Sequence, residues 1–293
     1  MNQAMNSGGD CLSGPITNLA GYRFIDLEGR DALQSIFRSL CADLGLKGTV
    51  LLAPEGINFF VAGPTAAIDG FTSFLEKDER FRGIPIKTSY TDYQPFNRMN
   101  VRKKSEIISV GLDHIRPADE TGLEIEPQVF KAMLDRGEAV HVLDTRNDYE
   151  LRLGTFERSI NLDIRTFRDF PEAVQRLPES MKDEPIVMFC TGGIRCEKAS
   201  AIMMEAGFSD VKQLKGGVLG YFEEVGGAHW DGDCFVFDQR VALDSKLQET
   251  DATICFACRE PLSRDEQGSP DYVVGVSCSY CINGKNKLPL IDE

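Results

Sequence analysis

Apolar positions are sparse over residues 1–16, which are small and polar with Gly8, Gly9 and Gly14, and this stretch predicts a disordered leader. From Leu19 the pattern becomes periodic. Residues 19–27 read as a strand, and Leu33, Ile36, Phe37, Leu40 and Leu44 then recur at helical spacing, leaving one face of a helix apolar. Strands at 49–54 and 57–63 follow, then a helix with Thr65 as its N-cap and Ile68, Phe71 and Leu75 along one face, and a closing strand at 84–90. The order β-α-β-β-α-β predicts a ferredoxin-like α+β domain over residues 17–110, a four-stranded antiparallel sheet with two helices on one face. Many unrelated proteins share that plan, so it says little about chemistry.

Residues 111–126 are polar and aperiodic, with Gly111, Pro117 and Gly122, and predict a linker. Helix and strand then alternate: a helix from Pro127 to about Arg136, strands at 140–144 and 185–190, a helix from Cys196 and a strand at 211–215. Such alternation predicts a parallel sheet flanked by helices, here over residues 127–230. The remainder, 231–293, is poor in periodic structure and holds five of the nine cysteines. The fold class is therefore α/β in three parts, the last a cysteine-rich tail.

A chain of 293 residues with 42% hydrophobic content can bury a core without staples. The first 22 residues carry no Lys, Arg or apolar run, so the cysteines are expected reduced in a cytoplasmic protein. No apolar stretch approaches the roughly 20 residues of a membrane span, and no stable protein partner is evident. The net charge of −14 argues against coating nucleic acid by charge alone. Its distribution weakens that objection: residues 1–123 hold 13 basic and 15 acidic side chains, a balance of −2, and the rest of the chain carries −12.

The informative segment is 185-PIVMFCTGGIRCEKASAIMMEAG-207. An apolar strand ends at Cys190, and the loop Thr191, Gly192, Gly193, Ile194 and Arg195 leads into a helix with Ala199, Ile202, Met203 and Ala206 on one face. The glycines let backbone N–H groups curl toward the sulfur, and the helix terminus and Arg195 favour a thiolate there. Against this stands the bland reading of a small buried core cysteine. Strand-end placement, the glycines and Arg195 favour an exposed, low-pKa reactive thiol, for which a persulfide or sulfenate is a reasonable intermediate. Cys196 reads as a packed helical thiol rather than a resolving one and is left out of the catalytic set.

Strand, Cys190, a tight loop closed by Arg195 and a helix resemble the rhodanese active site. Asp144-Thr145-Arg146 with Glu150, and Ser159-Ile160-Asn161-Leu162, resemble two elements that precede it. Tyrosine phosphatases place their Arg six positions after the Cys, whereas Arg195 lies five after Cys190, a loop one residue too tight for phosphate. Residues 190–200, 51–58, 95–107 and 233–241 together are similar to the rhodanese-domain tRNA uridine(34) hydroxylases. That resemblance implies oxygen-dependent formation of 5-hydroxyuridine at the tRNA wobble position, with molecular oxygen as co-substrate, tRNA as partner and Cys190 as the required cysteine. The family usually has Gly-Thr where this chain has Phe59-Phe60. A rhodanese-type sulfurtransferase or persulfide carrier is the alternative, and a redox-sensing or RNA-binding module a third reading.

The residues themselves neither demand nor forbid hydroxylation. His114, His141 and His229 are widely separated, so a site of two histidines and one carboxylate on iron is not expected, and no nicotinamide or flavin motif is present. In the tail, 255-CFAC-258 and 278-CSYC-281 are spaced for a tetrahedral zinc site of Cys255, Cys258, Cys278 and Cys281, with Cys234 too far upstream to join; reduced cysteines without metal are the alternative. Arg98, Arg102, Lys103 and Lys104 form a basic run able to hold tRNA phosphates, or else a solvated face. Tyr93 and Phe96 nearby could stack on bases or pack in a core.

Overall fold

A computed structural model describes residues 15–284. The expected leader lies outside the described residues apart from Pro15 and Ile16, and Ile16 already opens a strand. The chain forms two compact units, Met1–Ile107 and Ile108–Glu293.

The first unit runs β1 (Ile16–Phe24), α1 (Arg30–Asp43), β2 (Lys47–Ala53), β3 (Gly56–Pro64), α2 (Thr65–Lys77), β4 (Ile86–Thr91) and β5 (Met99–Lys103). Its sheet order β4-β1-β3-β2 is the ferredoxin-like arrangement, with β1 antiparallel to β3 and β4, and β2 antiparallel to β3. The expected sheet of four strands is corrected to five, because β5 adds parallel to β2 with Val101 opposite Val50. Val101 of β5 is buried in the core and Met99 packs against it, an alternation too short to mark a strand. Backbone pairing and the Gln34 amide, which donates to the Val101 carbonyl at 2.9 Å, hold it as well.

Both helices feed one core, in which Phe71 packs on Phe37 (6.1 Å between ring centroids) and edge-on to Phe59 (5.4 Å). Fully burying one such ring is worth about 1.5–3 kcal/mol. Phe59, where the family usually has Gly, thus serves the core. Thr65 is not the N-cap of α2. Pro64 occupies that position, and the Thr65 hydroxyl shares a 3.0 Å hydrogen bond with Thr17.

The second unit begins with β6 (Leu123–Ile125), α3 (Pro127–Asp135), β7 (His141–Asp144), α4 (Asp148–Leu151), β8 (Gly154–Phe156) and β9 (Ile160–Asn161). It continues with α5 (Phe170–Val174), β10 (Ile186–Phe189), α6 (Ile194–Glu205), β11 (Val211–Leu214) and α7 (Gly217–Val225). The sheet order is β6-β11-β10-β7-β9, with every pair parallel. All four residues of the central strand β10 are buried, as a strand covered by helices on both faces requires.

The expected linker contains β6, which is too short to show a period. It is fixed by polar contacts: Gly122 N–H donates to Ser200 Oγ at 2.8 Å, and Gln213 Nε2 to the Gly122 carbonyl at 2.9 Å. The tail holds short elements only, β12 (Trp230–Gly232), β13 (Cys234–Phe235), β14 (Ala242–Leu243), β15 (Thr253–Ile254), β16 (Pro261–Leu262) and α8 (Arg264–Gln267). It is tied to the parallel-sheet domain by β12, which pairs with β8 at Trp230 and Phe156. Among the described residues no helix is long and apolar enough to cross a membrane.

Candidate active site

Cys190 lies one residue past the carboxyl end of β10, where open parallel sheets place their reactive groups. The loop after it is shorter than expected. Helix α6 opens at Ile194 rather than Cys196, so Ile194 and Arg195 belong to its first turn and only Thr191, Gly192 and Gly193 remain loop. Gly193 takes φ of 103°, which aims its N–H at Cys190 Sγ, 3.1 Å away.

The start of α7 closes on the loop from the other side, with Val218 N–H donating to the Cys190 carbonyl (2.9 Å) and Leu219 N–H to that of Thr191 (3.1 Å). A Cβ at Gly217, where φ is 62°, would stand 2.4 Å from the Cys190 oxygen, so only glycine allows this approach. Gly217 was missed in the sequence, although the Gly216-Gly217 pair after a strand was a visible signal.

Cys190 is fully buried, which corrects the expectation of an exposed thiol. It belongs to a core cluster with Leu143, Met188, Cys196 and Ala199. Burial pushes its pKa up, but a hydrogen bond from the Cys196 thiol, the Arg195 charge and the N–H groups of Arg195 and Gly193 outweigh it, so Cys190 ionises well below an ordinary thiol. Burial and the adjacent negative sulfur push Cys196 far the other way. Thr145 Oγ1 lies 3.7 Å from Cys196 Sγ and donates its own proton to the Phe189 carbonyl at 2.9 Å.

Arg195 does not stand free at the loop's end. Its Nη1 and Nη2 donate to the two oxygens of Glu150 at 2.5 and 2.8 Å, and Nη2 reaches Thr191 Oγ1 at 3.3 Å. Glu150 is fully buried, the Asn147 N–H donates to it at 3.0 Å, and Thr191 Oγ1 donates to it at 3.2 Å. Burial works to raise its pKa, but Arg195, then Arg146 and the Asn147 N–H, hold the carboxyl below its usual range.

Asp144 and Arg146 form a separate buried pair at 2.6 Å that braces the sheet. Arg146 reaches the Gly154 carbonyl at 2.8 Å and lies over the Trp230 ring at 5.0 Å. The tail also meets the loop, with Phe237 stacked on the Arg195 guanidinium at 5.7 Å and the Phe235 carbonyl 3.5 Å from Thr191 Oγ1.

The four tail cysteines converge, their sulfurs all within 4.8 Å of one another. Cys258 and Cys278 are 3.6 Å apart, Cys278 and Cys281 3.8 Å, Cys255 and Cys281 4.0 Å. Tetrahedral zinc with bonds of about 2.3 Å spaces its sulfurs about 3.8 Å apart, so the cluster fits that metal. Cys234 stays outside it in another core.

The basic run is not brought together as one surface. Side chains alternate along β5, so Lys103, paired with Asp31, faces away from Arg102 and from Lys104, which extends the same pairing beyond it. Arg98 lies before the strand and is exposed. Tyr93 is exposed and Phe96 half-buried. The three histidines pair with separate carboxylates, His114 with Glu205, His141 with Glu184 and His229 with Asp135.

A central parallel strand ending in a buried, acidic thiol cradled by a glycine turn and a helix start defines a rhodanese-like active site. A rhodanese-like domain profile matches residues 126–224, and a UPF0176 acylphosphatase like domain profile matches residues 16–107. The tRNA uridine(34) hydroxylase of Cupriavidus necator is 49% identical over 277 residues, covering 93% of this chain and 98% of that protein. That of Cupriavidus pinatubonensis is 47% identical over 272 residues (91% and 96%), and that of Burkholderia vietnamiensis 46% over 275 (91% and 97%). The chain belongs to the tRNA uridine(34) hydroxylase family.

Proposed function

We propose that this chain hydroxylates uridine 34 of tRNA to 5-hydroxyuridine in the cytoplasm, with molecular oxygen as co-substrate and Cys190 as the reactive thiol. The observation that carries this reading is the coverage of the likeness. Identity of 49% spans the ferredoxin-like domain, the rhodanese-like domain and the cysteine tail together, so the whole assembly matches proteins of that name. The chain's own contribution is a sulfur held as thiolate by Gly193, Cys196 and Arg195. The tail cysteines would hold a structural zinc, giving a segment with little core a reason to fold.

A sulfurtransferase would need a cation facing an incoming anionic sulfur donor. Here both Nη groups of Arg195 donate to Glu150, so its hydrogen-bonding fork is turned to that buried carboxylate rather than to an incoming donor. The test is mass spectrometry of wobble nucleosides from cells lacking the protein, grown under 18O2 when complemented. Loss of 5-hydroxyuridine, restored with the heavy isotope, supports the reading. Unchanged nucleosides, with purified protein converting thiosulfate and cyanide rapidly to thiocyanate, would replace it with sulfur transfer.

A further inference from the structure

Glu260 follows Cys258 by two residues, and its side chain has no solvent exposure. Two arginines converge on it: Arg152 Nη2 donates to one oxygen and Arg165 Nη2 to the other. Burying a carboxylate is costly unless it is fully paired, so this one is held by its neighbours. Both arginines also grip α4. Arg152 caps its carboxyl end, while Arg165 donates to Asp148 Oδ1 at 3.0 Å and lies 5.4 Å over the Tyr149 ring. From the second cysteine pair, Tyr280 stacks under Arg152 at 4.1 Å. The chain at both cysteine pairs therefore meets this arginine pair, Glu260 through both arginines and Tyr280 through Arg152.

The other side of α4 is the active site. Glu150, its third residue, carries Arg195 and Thr191 as described, and Tyr149 packs edge-on to Phe235 at 5.5 Å. A helix of four residues has almost no stability of its own, so its position is set by whatever holds it. On one side that is the catalytic loop. On the other it is the cysteine module.

We propose that Glu260 is a positioning residue for the Cys190 loop: through Arg152 and Arg165 it fixes α4, and through α4 the Glu150–Arg195 pair beside the reactive sulfur. Folding of the cysteine module thereby sets the reactivity of a thiol to which it contributes no atom. The inference rests on Cys190 being the reactive thiol. Its test needs no tRNA, so its failure would leave the hydroxylase reading standing.

The full-length protein, purified without chelators, is alkylated with iodoacetamide across pH and modification is read at Cys190 by peptide mass spectrometry. In wild type the rate should reach half its plateau below pH 7. In Glu260→Gln the midpoint should rise by about half a unit or more, as Arg195 drifts from the sulfur and its charge supports the thiolate less. Glu260→Asp, which keeps the charge on a shorter arm, should restore part of the shift. Arg195→Gln marks the full effect and should raise the midpoint at least as far.

A Glu260→Gln midpoint equal to wild type, with Arg195→Gln shifted, would overturn the proposal. So would an Arg195→Gln variant that leaves the midpoint in place, because the conduit would then carry nothing. Should Glu260→Gln prove insoluble, Arg165→Lys gives the same reading. It keeps the charge but loses the fork that spans Glu260 and Asp148, and an unshifted midpoint there overturns the proposal equally.

Discussion

Replacing Glu150 by Gln probes the pair on which the active loop rests. The carboxylate is fully buried and meets Arg195 at 2.5 and 2.8 Å, so the substitution leaves a buried guanidinium without its counter-charge. Removing one partner of a buried pair costs about 3–5 kcal/mol, a large part of the roughly 5–15 kcal/mol that holds a domain folded. The pH dependence has a fixed sign. The folded-state pKa of Glu150 lies below the ordinary value of 4.5, so its stabilisation is complete above that pH and is lost as pH falls through the folded value. Urea unfolding followed by the fluorescence of Trp230, the single tryptophan, reports the second unit directly. The gap between wild type and E150Q should be full at pH 7 and should narrow below about pH 4.5. A gap under about 0.5 kcal/mol at pH 7, or one that widens in acid, would refute the reasoning.

Cys196→Ala should raise the alkylation midpoint of Cys190, because the thiolate loses its neighbouring donor, whereas Cys196→Ser should hold it near wild type; equal midpoints in all three proteins would remove Cys196 from the site. Elemental analysis should find about one zinc per chain, as four thiolates bind one ion, and less than about a tenth of an equivalent would leave the tail an apo segment. Changing Arg102, Lys103 and Lys104 together to Ala should weaken tRNA binding and flatten the slope of log K against log salt. Because Lys103 faces Asp31, the loss should be roughly two contacts at a little under one unit each, and a wild-type slope would show a solvated face.

Legibility in the sequence followed physical scale. The strand 185–190, its glycine turn and the C-x-x-C pairs are local patterns, and the structure accordingly sets Gly193 against Cys190 and, in a separate cluster, brings the four tail cysteines together. The β-α-β-β-α-β order emerged from long apolar periods. What escaped depends on contacts distant in sequence. Strand β5 is held by pairing with β2 and by the Gln34 amide, β6 is held by Ser200 and Gln213, and α4 is too short to show a period. Glu260 lies 108 residues from Arg152 and reads as one acidic residue in an acidic tail. The burial of Cys190 could not be seen either, because it depends on cluster packing and on the approach that Gly217 permits.

The central claim is that Cys190 performs tRNA hydroxylation in this chain. It is tested most directly by quantifying wobble 5-hydroxyuridine in a deletion strain complemented with wild type or with Cys190→Ser. That exchange removes the thiolate at nearly constant volume, so the variant should accumulate as folded protein. Wild type should restore the modified nucleoside and Cys190→Ser should leave it at the deletion level. Full modification by the serine variant would contradict the account.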